Sequence, residues 1–242
     1  MTLMKANLDT RKDSSIGERA YVQIRSDILF GRLAPGQKLR LEVLKSDYQT
    51  SISTLRELLN RLTSEGLITA ERHRGFEVAP VSIENMGEVA AMRLLLECHA
   101  LTRSFAVGDT EWEGRVVAAH HKLSRLEQSL IAGKHADAET WKRYDWEFHR
   151  ALISGCGSAA LLDTHAGIYD KYLRYQMIAV IFRGEVAAIE HRQLLECAFK
   201  RDAAKACKIL KKHIESCVDY TVSSGRLSLM QSSHAPAISA VS

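Results

Sequence analysis

At 242 residues, with 46% hydrophobic and 26% charged side chains, the chain has the length for two ordinary domains and the composition of a packed core, which excludes a disordered polypeptide. No apolar run is long enough to span a bilayer, and the opening "MTLMKANLDTRKDSS" lacks the apolar stretch of a secretory signal, so a cytoplasmic location and no membrane partner are expected. The net charge of +4 is too mild to define a partner, but residues 1–80 hold 13 Lys+Arg against 10 Asp+Glu and the rest 20 against 19, so most of the excess lies at the front.

Residues 1–15 read as a flexible tail. From Glu18 to Phe30, Tyr21, Ile24, Ile28 and Leu29 mark an amphipathic helix that Gly31 and the "LAPGQ" turn stop. A short helix from Leu41 to Asp47 follows, and "SISTLRELLNRLTSEGLI" supplies another, with Leu55, Leu58, Leu59 and Leu62 on one face and Gly66 as its stop. Two β-prone runs, "LITAE" and "GFEVAP", flank the basic tip "RHRG", so residues 16–80 are expected to form a helix-turn-helix with a two-stranded wing. Pro80 marks the seam. Beyond it residues 81–222 run as long segments of helical period, at roughly 83–107, 110–132, 138–154, 158–182, 185–200 and 202–222, which predicts an all-α bundle. Residues 223–242 are Ser-rich and read as a second tail, and the five cysteines, with no C-x-x-C pair, are expected to be reduced and mostly buried. The fold class is therefore mainly α.

The polar face of the third helix suggests what the front half touches. Its first turn leads with Ser51, Ser53 and Thr54, followed by Arg56, Asn60 and Arg61, and hydroxyls, helix-terminal N–H groups and guanidinium are donors for phosphates and base edges. A merely solvated charged face remains the alternative. The segments "DILFGRLAPGQKLR", "LRELLNRLTSEGLI" and "RHRGFEVAPVS" resemble the winged helix-turn-helix of GntR-type bacterial transcription regulators. The resemblance implies that Arg40, Arg56 and the wing residues Arg74 and Gly75 contact an operator in double-stranded DNA. It departs from the family at "SIS", where Ile52 stands in place of a base-reading Arg and has no hydrogen bond to donate.

In the back half, "YDWEFHRAL" sets Asp145 and His149 one helical turn apart, so both can grip one ion. His191 in "AIEHRQLL" and His213 in "ILKKHIES" lie beside apolar stripes. One carboxylate and several imidazoles suit Zn, Ni, Mn or Fe(II), and facing helices of a bundle are where such sites form. Satisfied interior histidines beside a surface Asp are the competing reading. The segments "MRLLLE", "DWEFHRALI", "EHRQLLECAFKRD" and the final "HI" resemble the all-helical FCD ligand-binding domain of the FadR subfamily. That resemblance implies that Asp145, His149, His191 and His213 bind a divalent metal, and that Arg93 and Arg174 bind a small carboxylate effector. A local pair between Arg93 and Glu97 is the alternative for Arg93. His120, His121, His135, His165 and His234 read as exposed or joint residues.

Together these features predict a homodimeric regulator, a repressor, whose affinity for a palindromic operator shifts when a carboxylate binds at the metal. The competing class is a metal-dependent hydrolase or oxygenase built on the same Asp and His residues. No H-E-x-x-H or other base motif accompanies them.

Overall fold

The computed structural model describes residues 15–71, 75–134, 137–179 and 183–227. These fall into two compact units: one holds the chain to Met86, Arg174–Ala179 and the residues from Thr221 on, and the other holds Gly87–Leu173 and Val180–Tyr220.

In the first unit α1 (Ile16–Leu29) is followed by β1 (Lys38–Leu39), α2 (Leu41–Asp47), α3 (Ile52–Ser64), β2 (Ile68–Glu71) and β3 (Gly75–Val78). Ser15 caps α1, accepting a bond from the Glu18 amide at 3.2 Å. The predicted leucine face of α3 is buried, and α3 packs on α1, α2 and β2. Burying each such leucine contributes roughly 1.5–3 kcal/mol. Gly66, with φ 73°, ends this helix in the left-handed region that a side chain disfavours. The sheet is three-stranded and antiparallel, ordered β1-β3-β2, with Phe76 opposite both Leu39 and Ala70. The sequence reading missed β1, because a two-residue strand displays no alternation.

The second unit is built from helices alone among the described residues: α4 (Ile83–Val107), α5 (Thr110–Ile131), α6 (Ala138–Ile153), α7 (Ala159–Ala179), α8 (Glu185–Lys200) and α9 (Ala203–Ser223). The first turn of α4 and the ends of α7 and α9 belong to the other unit. Asp109 and Asp137 cap α5 and α6 through their carboxylates. Gly108 lies in the joint before α5, where a Cβ would stand 2.4 Å from the Trp112 ring. α5 packs against α6 and α8. Its buried stripe reads Trp112, Val116, Ala119, Leu123 and then Glu127, a carboxylate at the next core position. The same substitution of polar for apolar recurs at Asp145 and His149 on α6, Glu190 and His191 on α8, and His213 on α9. α9 extends to Ser223, and Leu227 is 1% exposed.

Candidate metal centre and DNA-binding face

The helical spacing of α6 stacks Asp145 below His149, and α8 and α9 bring His191 and His213 to them. One ligand atom from each of the four residues lies within 4.8 Å of every other, and all four side chains are buried.

Each histidine is oriented by a different buried glutamate. His149 Nδ1 lies 2.5 Å from Glu97 Oε1, His191 Nδ1 lies 2.8 Å from Glu127 Oε1, and His213 Nδ1 lies 2.9 Å from Glu190 Oε2. A carboxylate at Nδ1 selects the tautomer whose proton sits there, which leaves the Nε2 lone pair for a metal. Nε2 of His149 is buried without a hydrogen bond, and His191 Nε2 stands 3.3 Å from Asp145 Oδ1. Asp145 accepts from the Tyr169 hydroxyl at 2.8 Å and faces Lys142 Nζ at 3.6 Å. Arg183 Nη2 donates to Glu190 at 2.7 Å, which fixes the third glutamate.

The charge states of Asp145, His149 and His213 match this arrangement, whereas a metal would have to displace a proton from His191. Burial opposes ionisation of Asp145, but Lys142 and the bond from His191 hold its carboxyl well below the usual carboxylate range. Burial pushes His149 below its ordinary value and His213 down to about 3, so both are neutral, as ligation requires. Burial opposes the proton on His191 as well, yet its bonds to Asp145 and Glu127 prevail and raise it to about 9. The carboxylates flanking that ring create a field that also suits a cation. One carboxylate and three imidazoles, each oriented by a glutamate, fit a divalent transition metal.

Arg93 reaches the same cluster. Arg93 is fully buried, pairs with Glu97 at 3.0 Å through Nε, and lies over the Tyr169 and Tyr172 rings at 4.5 and 4.7 Å. The local pair predicted for it therefore forms, while its Nη1 and Nη2 remain buried without a hydrogen bond. Arg174 belongs to the first unit, where its Nη2 donates to the Ala79 carbonyl. Its side chain is held by backbone just past β3. His165, read from the sequence as exposed, is fully buried: its Nε2 lies 3.2 Å from Glu97 Oε2 and its ring stacks on Trp146 at 5.5 Å. His165, Tyr169 and Tyr172 share one face of α7 by their spacing, a signal that could have found it. The three glutamates Glu97, Glu127 and Glu190 were also missed as ligand supports. His135 and His234 lie outside the described residues.

On the first unit, Ser51 caps α3: its Oγ accepts from the Thr54 amide at 3.1 Å and lies 2.8 Å from Ser53 Oγ. Ser53, Arg56 and Asn60 are exposed, and Thr54 and Ile52 are partly exposed. Arg40 is exposed at the start of α2 and Gly75 opens β3, whereas Arg74 lies outside the described residues. Arg61 departs from the expectation that it would join the donor face. It stacks over the Tyr21 ring at 3.6 Å and pairs with Glu18 at 3.3 Å, so it braces α3 against α1.

A family model described as "Bacterial regulatory proteins, gntR family" matches residues 16–78, and one described as "FCD domain" matches residues 88–216. The chain is 37% identical to an uncharacterized HTH-type transcriptional regulator, BphR, of Paraburkholderia xenovorans over 84% of each sequence. It is 31% identical to the HTH-type transcriptional repressor GlaR of Escherichia coli, over 80% of this chain and 90% of that one. Among solved structures, the fold resembles E. coli McbR/YncC, with a TM-score of 0.74 at 17% identity over 88% of this chain and 99% of that one. It also resembles a GntR regulator from Rhodococcus sp. RHA1, with a TM-score of 0.70 at 20% identity over 87% and 99%.

Proposed function

The chain belongs to the GntR family of bacterial regulatory proteins, and from that premise we propose that it is a metal-dependent, effector-controlled repressor. A homodimer binds a palindromic operator through the exposed start of α3, with Arg40 and the wing residues Arg74 and Gly75 gripping the flanks. The name of its relative GlaR as a repressor supports the direction of control. The family consists of transcription regulators, which sets aside the hydrolase or oxygenase reading of the Asp and His cluster.

The observation that carries the metal reading is the set of three Nδ1-to-glutamate contacts around Asp145. Interior histidines kept only for packing would have no need of three separate carboxylates selecting one tautomer. When bound, the metal would supply a Lewis-acidic positive centre for a carboxylate oxygen. Arg93, with two guanidinium nitrogens left over from its bond to Glu97, supports a small acid as the effector. Held beneath Tyr169 and Tyr172, that cation would meet the ligand without a reorganisation cost.

Elemental analysis of untagged protein, paired with operator titrations in the presence of small mono- and dicarboxylates, tests this. One metal per chain is expected, with an effector response that chelation or His191→Ala removes while operator binding persists. Protein without stoichiometric metal, responding normally as His191→Ala, would overturn it.

A further inference from the structure

Of the five cysteines, Cys156, Cys197 and Cys217 are buried, whereas Cys98 on α4 and Cys207 on α9 are partly exposed. Although 109 positions apart, these two meet: Cys207 Sγ lies 3.7 Å from the Cys98 carbonyl oxygen, and the two thiols are within hydrogen-bonding contact. Thr102, one turn along α4, donates to the same carbonyl at 3.0 Å and also touches the Cys207 sulfur. Both thiols are also more accessible than the three buried ones.

We infer that Cys98 and Cys207 form a modification site, a dithiol that a hydroperoxide converts to a disulfide joining α4 to α9. The site is separate from the metal ligands and from the proposed operator face, and the inference stands whether or not a metal binds.

The two sulfurs are not equivalent. A hydrogen bond between the two thiols raises the Cys98 thiol above its usual range, and the same bond, with Thr102, lowers that of Cys207. Cys207 therefore ionises before Cys98 and is the nucleophile of the pair. Its sulfur attacks one peroxide oxygen, the O–O bond breaks, and the departing hydroxide takes the Cys98 proton and leaves as water. The Cys98 thiolate then attacks the sulfenic sulfur of Cys207, forming S–S and breaking S–O. The second hydroxide is neutralised by the proton Cys207 first released. Two thiols and one peroxide give one disulfide and two waters, the sulfurs supplying both electrons. The bond would close a long loop of chain, constraining the unfolded state. It would also tie the helix that carries Arg93 and Glu97 to the helix that carries His213.

The test treats the full-length reduced protein with hydrogen peroxide and counts thiols. Free thiols are expected to fall from five to three, with an intact mass lower by two hydrogens and a digest that contains a peptide linking Cys98 to Cys207. A thiol reductant should restore all five. Cys98→Ser and Cys207→Ser should each abolish the link, and Cys197→Ser should retain it. Five surviving thiols, links through other cysteines, links between copies, or separate over-oxidation of Cys98 and Cys207 would each overturn the inference.

Discussion

The start of α3 and the centre of the helical unit place their polar residues in opposite ways. At α3, Ser53 and Arg56 stand in solvent, and the leucines behind them hold the helix without their help. In the helical unit Asp145, His149, His191 and His213 occupy core positions, each at most 3% exposed. There the polar groups are themselves the packing, and every one needs a partner because an unpaired buried charge is costly. Substitutions at the first site should therefore alter what the protein binds. At the second they should alter whether it holds together.

The sharpest break of this contrast is Asp145→Ala. It removes the partner of Lys142, whose ammonium is 3% exposed and lies over the Trp141 ring at 3.9 Å, and it strips acceptors from Tyr169 and His191. Breaking a buried pair by removing one member costs about 3–5 kcal/mol. Urea unfolding of metal-free protein should show a loss of that order. A loss no larger than for a surface substitution would mean that the cluster is loosely solvated and that the contrast fails.

That contrast also decided what was legible beforehand. α3 could be read because its apolar stripe repeats at 3, 4 and 7 positions and its donors lie on the opposite face of one segment. Asp145 and His149 were visible as a pair on one turn, but His191 and His213 stood out only as histidines beside apolar stripes until the family resemblance joined them, because contacts between helices leave no local period. Glu127 is the instructive miss. It continues the stripe Trp112, Val116, Ala119, Leu123, so its position announced burial, yet a single carboxylate names no partner until α8 sets His191 opposite. Arg61 shows the reverse: on α3 alone it reads with the donors, and only the packing on α1 shows its contacts with Tyr21 and Glu18.

Arg56→Ala probes the binding side of the comparison. Its guanidinium is exposed, so stability should stay within about 0.5 kcal/mol. Operator affinity should fall by about 1–3 kcal/mol, unevenly across sequences if the side chain reads a base and evenly if it grips phosphate. Fluorescence anisotropy with the operator and with scrambled duplexes separates the two. Unchanged affinity at physiological salt would remove α3 from the interface.

The smallest effect is expected at Ser51, where the two behaviours meet in one side chain. Its hydroxyl satisfies the Thr54 amide at the helix start, and it also stands exposed at the end of α3 that would approach DNA. Ser51→Ala should lose the cap and about 1 kcal/mol of stability. Ser51→Asp keeps a capping oxygen, and α3 has no acid in its first turn, so a carboxylate there also complements the helix dipole. Stability should therefore recover in Ser51→Asp. Operator affinity should not, because the added negative charge would face the phosphate backbone. Thermal unfolding and operator titration of the two variants give opposite rank orders if Ser51 both caps the helix and meets DNA. If Ser51→Asp regains stability and binds the operator as tightly as the unaltered protein, the N-terminal end of α3 lies away from the phosphates and Ser51 is a cap alone.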